Sequence, residues 1–163
     1  MADDDRYETL FNEAIRHLQA QDDEFNQLCA RASYLLVAIT IATSFLGASA
    51  LSRNDLSAVD WCAIAAFAVS LVLSTWLLAS PVRQFALGFD PKVAYERYFL
   101  EAKPMVTRDE FFVEVVYESD QAYKHNEKKL RIRRLALALS AAAMAAEIIL
   151  WLVDLGVTKA VIK

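Results

Sequence analysis

The chain has 163 residues, of which 56% are hydrophobic and 23% charged, and its formal net charge at pH 7 is −4. This length favours one structural unit over two domains, and the acidic balance argues against a nucleic-acid-binding surface. With only three glycines in the whole chain, a glycine-rich phosphate-binding loop is excluded.

Residues 1–31 form a polar segment that we interpret as a cytoplasmic N-terminal helix. Phe11, Leu18 and Phe25 recur every seven residues, which is the spacing of a seam for a partner helix. The partner could belong to a second subunit or to the same chain, and the pattern does not distinguish them. No glycine or proline interrupts the segment, so we expect the helix to continue into the apolar stretch that follows.

Three apolar stretches are long enough to cross a bilayer, which takes roughly 20 residues of α-helix. They cover residues 32–52, 61–82 and 135–155, and Glu147 is the only charge between Leu135 and Val153. Only a short polar loop separates the first two, which predicts an antiparallel hairpin. The sequence therefore predicts an all-α, polytopic membrane protein with three transmembrane helices and long cytoplasmic helical extensions.

The polar region 83–134 contains the breaks that define its helices. Asp90-Pro91 resembles a helix start, and Pro104 ends the short helix expected over 91–103. Thr107, followed by acidic residues, predicts the start of a helix that runs unbroken to Leu155. We expect an apolar stripe on its polar part to pack against the N-terminal helix.

Orientation follows from the placement of lysine and arginine. The region 83–134 holds eleven of the seventeen basic residues, and basic residues stay on the cytoplasmic side. The N-terminus and this region are therefore predicted to be cytoplasmic, with the 52–60 loop and the C-terminus on the other side.

The candidate functional residues in the membrane lie on one face of the third span. Ser140, Glu147 and Asp154 are spaced by seven, and an ionisable group inside a span marks a functional site by default. Around a symmetric axis they would form an acidic, cation-selective pore lining. Alternatively, Glu147 reaches the headgroup layer or pairs with a polar neighbour. Three spans cannot enclose a pore, so transport would require a homo-oligomer.

A second set of candidates lies in the cytoplasmic region, where a small anion such as a nucleotide could bind. Arginine and lysine would supply positive charge, and tyrosine rings would stack on a base. The candidates are Arg83, Tyr95, Arg97, Tyr98 and Lys103. The alternative is that they serve only in packing and at the membrane interface.

Nothing in the sequence indicates an enzyme, a cofactor or a metal. His17 and His125 are isolated, and histidine and cysteine nowhere have the spacing of metal ligands. We interpret both histidines as exposed residues of polar helix faces.

The arrangement resembles small bacterial membrane effectors of the SLATT and Pycsar transmembrane type. The resemblance rests on the helical arm into Arg31-Ala-Ser-Tyr-Leu-Leu, on Ser44-Phe-Leu-Gly, and on Tyr123-Lys-His-Asn-Glu-Lys-Lys-Leu-Arg before the final span. It covers residues 7–155. It implies a multi-pass protein of the bacterial inner membrane that acts in antiphage defence, with oligomers that perturb the membrane on a nucleotide signal.

Two functions remain open from the sequence. The first is an oligomeric effector that forms a channel or pore and is closed until a cytoplasmic signal arrives. The second is a non-conducting membrane adaptor whose cytoplasmic helices bind a partner protein. In both, the lipid bilayer is a partner of the chain.

Overall fold

The computed structural model describes residues 4–51, 56–79 and 107–161, and within them the chain is helical. Helix α1 spans Asp4–Leu51, α2 spans Ala58–Ala79 and α3 spans Arg108–Val161. No strand occurs in these three ranges, so the all-α prediction is confirmed for them. The helix expected over 91–103 lies outside the described residues.

All three helices are long and apolar enough to cross a membrane. α1 has 48 residues and α3 has 54, because each joins a polar half to an apolar half without a helix breaker. The expected continuation of the N-terminal helix into the first apolar stretch is confirmed. α3 continues past Leu155, where we expected its end.

Two helix starts are fixed by reciprocal capping. At α2, the backbone N–H of Ser57 donates to Asp60 Oδ2 (2.7 Å), and the N–H of Asp60 donates to Ser57 Oγ (3.2 Å). At α3, Thr107 and Glu110 make the same pair of hydrogen bonds, at 2.9 and 3.3 Å. The backbone and hydroxyl donors of Thr107 lower the pKa of the Glu110 carboxyl. The predicted start of this helix at Thr107 is confirmed.

The described residues divide into two compact units, a finer division than the single unit that the length suggests. Residues 4–26 and 107–131 belong to one, here called the polar unit. Residues 27–51, 56–79 and 132–161 belong to the other, the apolar unit. α1 and α3 each contribute one part to both units, whereas α2 lies wholly in the apolar unit.

Within the polar unit, α1 packs against α3. Phe11 contacts Phe112 edge to face, with ring centroids 5.6 Å apart. Further along, the Gln21 side-chain amide donates to the Tyr123 carbonyl (3.1 Å). The expected packing of the apolar stripe of α3 on the N-terminal helix is therefore observed at these positions.

α3 carries a seven-residue repeat of buried polar side chains. In the polar unit these are Ser119 and Asn126; in the apolar unit they are Arg133, Ser140, Glu147 and Asp154. A seven-residue repeat keeps side chains on one helix face when helices pack at a shallow angle. Leu139, Ile149 and Leu152, in contrast, are exposed. The inward face of α3 in the apolar unit thus carries its polar side chains.

Candidate functional site

Glu147 is the centre of the buried polar residues in the apolar unit. Its side chain is fully buried, and Oε1 accepts hydrogen bonds from Thr43 Oγ1 on α1 (2.5 Å) and from Trp151 Nε1 on α3 (3.3 Å). Oε2 is buried and has no hydrogen-bond partner among the described residues. Burying a carboxyl oxygen without a hydrogen-bond partner costs free energy. In Glu147 hydrogen bonds compensate this cost at Oε1 but not at Oε2.

Hydrogen bonds among three serines join α2 to α3 at Ser140, seven residues before Glu147. Ser70 Oγ donates to the Ser140 carbonyl (2.8 Å), and Ser140 Oγ returns a hydrogen bond to the Ser70 carbonyl (3.0 Å). Ser74 Oγ lies 2.8 Å from Ser140 Oγ. All three side chains are fully buried. Small hydroxyl residues let the two helix backbones approach closely, and their hydrogen bonds hold the contact in place.

Four buried polar residues of α3, namely Arg133, Ser140, Glu147 and Asp154, form a row in the apolar unit. Arg133 lies at one end of this row, beside the C-terminal part of α2. Its guanidinium is buried, donates to the Leu77 carbonyl (3.3 Å) and lies 5.8 Å from the Trp76 ring centroid. The Cys29 thiol is 3.9 Å from the same carbonyl. A cation is favourable where helix carbonyls lose their intrahelical partners. Arg133 therefore ties the end of α2 to α3.

The other end of the row is acidic. Asp60 at the start of α2 is buried, and its Oδ1 has no hydrogen-bond partner among the described residues. Asp154 on α3 is also buried. Arg31, Arg133 and Arg134 flank the opposite ends of the apolar stretches, whereas Lys159 follows Asp154 by five residues in α3. The buried carboxyl groups of Asp60 and Asp154 therefore lie at the end of the apolar unit opposite the buried Arg133.

The three pore-lining candidates lie on the inward face of α3 within one chain. Ser140, Glu147 and Asp154 have exposed fractions of 0%, 0% and 7%. Ser140 is hydrogen-bonded to α2, and Glu147 is hydrogen-bonded to Thr43 on α1 and to Trp151 on α3. Whether they line a pathway in an oligomer stays a prediction.

Two residues of the candidate site are not identified by the sequence pattern: Thr43, which bonds to Glu147, and Arg133. Neither Thr43 nor Arg133 is among the candidates predicted from the sequence. Arg133 is in fact buried, at 4% exposure. Its spacing of seven from Ser140 was the signal that could have identified it.

The polar unit contains a cleft of about 310 Å³ between α1 and α3. Ala14 and Val116 give it apolar walls, and His17, Asp120 and Tyr123 also line it. The Ser119 hydroxyl, on the same lining, is buried without a hydrogen-bond partner among the described residues. The lining of this cleft therefore combines apolar walls with polar side chains from both helices.

The seam candidates lie where α1 packs in the polar unit. Phe25 is buried, Leu18 is half-buried, and Phe11 is half-buried against Phe112. Their contribution to association between subunits stays a prediction. The five ligand-binding candidates, Arg83, Tyr95, Arg97, Tyr98 and Lys103, lie outside the described residues.

Comparison with protein-family models, with curated proteins and with solved structures gives no match for this chain. Its function must therefore be inferred from the geometry of its polar residues and from the pattern of its sequence.

Proposed function

We propose that the chain is a subunit of a homo-oligomeric effector of the bacterial inner membrane, which opens a cation-conducting path on a cytoplasmic signal. The role in antiphage defence comes from the resemblance to SLATT and Pycsar transmembrane effectors. The observation that carries the conducting function is Glu147, an ionisable side chain buried in an apolar helix with one carboxyl oxygen unpartnered. Such a group is costly to keep in a membrane and is a functional candidate for that reason.

The arrangement of one chain corresponds in this proposal to the closed state. The carboxyl of Glu147 is covered by its own subunit, through Thr43 and Trp151. Opening would turn this face of α3 toward a water-filled path shared by several subunits, because three helices alone cannot enclose one. The unpartnered oxygen favours such a change, since exposure to water would solvate it.

The signal would act on the polar unit. Its cleft, with the unpartnered Ser119 hydroxyl, is one candidate receptor site. The set Arg83, Tyr95, Arg97, Tyr98 and Lys103 remains the candidate site for a nucleotide, on the strength of its charge and its aromatic rings. Both are proposals for the same step, in which a ligand bound to the polar unit changes the packing of α3.

The proposal places the N-terminus and residues 83–134 in the cytoplasm, which predicts a labelling pattern. After Cys29 and Cys62 are replaced by alanine, Ser57→Cys should react with a membrane-impermeant maleimide in spheroplasts. Gln121→Cys should react only after permeabilisation. Both positions are exposed, whereas the neighbouring Ser119 is buried and unsuitable for labelling. Reaction of Gln121→Cys in intact spheroplasts would show the opposite orientation.

A second function, the non-conducting adaptor, is favoured by one observation. Val113 and Tyr117, one helical turn apart on α3, are 56% and 63% exposed in the polar unit. Leu10 on α1 is also exposed there. Large apolar side chains outside the apolar stretches suit contact with a partner protein.

Planar-bilayer recording of the purified oligomer distinguishes the two functions. We expect discrete cation currents from the wild-type protein, with an open fraction that rises when nucleotides are added on the side of the polar unit. A well-folded oligomer that stays silent with a panel of nucleotides, and that does not raise ion permeability when produced in cells, would favour the adaptor.

A further inference from the structure

The apolar unit contains a second cleft, at the end near Glu147. It has a volume of about 460 Å³ and lies between α1 and α2, with α3 behind it. Thr43, Ser44 and Gly47 line it on α1, Ile64 and Phe67 line it on α2, and Trp151 lines it on α3. Ser44 is exposed, so the cleft opens on the outer surface of the unit.

The lining is uncharged, and its polar hydrogens are already used. Thr43 Oγ1 and Trp151 Nε1 both donate to Glu147 Oε1. Ser44 Oγ donates to the Thr40 carbonyl at 2.6 Å. A polar ligand would therefore lose its hydration in the cleft without gaining a free donor. The chemistry of the cleft selects an apolar occupant.

The position of the cleft identifies that occupant, if the apolar stretches span a bilayer as the proposed function requires. Its residues on α1 and α2 belong to the stretches 32–52 and 61–82, in the halves that adjoin the 52–60 loop. At this depth the surrounding solvent is lipid hydrocarbon. The cleft is continuous with the exposed face of α1, where Ile41 and Phe45 are 54% and 77% exposed. We propose that the cleft is a binding site for one lipid acyl chain.

An acyl chain in the cleft would lie against the residues that hold Glu147. Thr43 and Trp151 are at once part of the lining and the two donors to Oε1. Filling the space between α1 and α2 would keep both donors in position. In the proposed channel, the bound acyl chain therefore stabilises the closed arrangement, and its loss releases the carboxyl.

Fluorescence quenching by lipids with brominated acyl chains tests occupancy directly. Trp61→Phe and Trp76→Phe together leave Trp151 as the only tryptophan, and its side chain is 1% exposed. The comparison is a variant in which Trp76, 44% exposed, is the only tryptophan. In vesicles of brominated phosphatidylcholine we expect Trp151 to lose as large a fraction of its emission as Trp76 does in that variant. Equal Trp151 emission in brominated and unbrominated vesicles would overturn the proposal. A second subunit that fills the cleft in place of lipid would give this result.

Gly47 provides a way to close the cleft. A Cβ at this position would lie 3.5 Å from Thr43 Cγ2 and 3.9 Å from Trp151 Cζ2, which are ordinary contacts. Gly47→Leu should therefore extend into the cleft and restore the Trp151 emission in brominated vesicles. Ala38→Leu adds a similar side chain on an exposed part of α1 and should leave quenching unchanged. Quenching that survives in a helical, correctly assembled Gly47→Leu protein would also overturn the proposal.

This measurement is independent of conduction. A silent protein whose Trp151 is quenched would retain the acyl-chain site and lose the channel. A conducting protein whose Trp151 is not quenched would retain the channel and lose the acyl-chain site.

Discussion

Replacing Ser140 with leucine should separate α2 from α3 and lower the free energy of unfolding in detergent. Ser140 is fully buried and takes part in hydrogen bonds to both Ser70 and Ser74. Leucine would remove the hydrogen bonds of the Ser140 hydroxyl and insert bulk where α2 contacts α3. Overpacking costs about 1–3 kcal/mol, and each lost hydrogen bond between membrane helices costs about 0.6 kcal/mol.

The matched control is Ala142→Leu, two residues further along the same helix. Ala142 is exposed, so leucine there would face lipid and leave the packing intact. Ser140→Ala separates the two contributions, because it removes the hydroxyl without adding bulk and should cost about 1 kcal/mol. Unfolding by sodium dodecyl sulfate, followed by circular dichroism, measures all three variants. Equal stability of Ser140→Leu and Ala142→Leu would show that the serine contacts do not hold α2 and α3 together.

The sequence is sufficient to predict the helices, because their signals are local. Uninterrupted apolar runs and the absence of proline predict α1 and α3 as continuous helices. The start at Thr107 is equally local, since Glu110 three residues later completes the cap. The end of α3 is harder to place because no helix-breaking proline follows Leu155.

The partners of the candidate site are not local. Glu147 is conspicuous as a charge in an apolar run, but Thr43 lies 104 residues away in the sequence. Which residue of α1 meets Glu147 depends on the rotation of both helices, and in an apolar stretch hydrophobicity gives almost no indication of rotation. The seven-residue repeat of polar residues is a better indication of the rotation of α3, because the polar face of a helix in lipid is the one that packs inward. Applied to Arg133, Ser140 and Glu147 together, that rule would have placed Arg133 inside.

Replacing Glu147 with glutamine should reduce the preference of the proposed channel for cations without preventing assembly. A ring of carboxylates concentrates cations and repels anions, so loss of the charge should move the reversal potential across a KCl gradient toward zero. Glutamine keeps a carbonyl oxygen that can accept the hydrogen bonds of Thr43 and Trp151. The fold should therefore survive the substitution.

Glu147→Lys provides the opposite change and should block cation current or reverse the selectivity. The control is Glu114→Gln, which removes one carboxylate from an exposed position in the polar unit and should leave the reversal potential as in wild type. Elution volume and helicity of each variant verify that the oligomer is intact. If Glu147→Gln conducts with the wild-type reversal potential, Glu147 does not line the path. Its hydrogen bonds to Thr43 and Trp151 would then serve only to join α1 to α3.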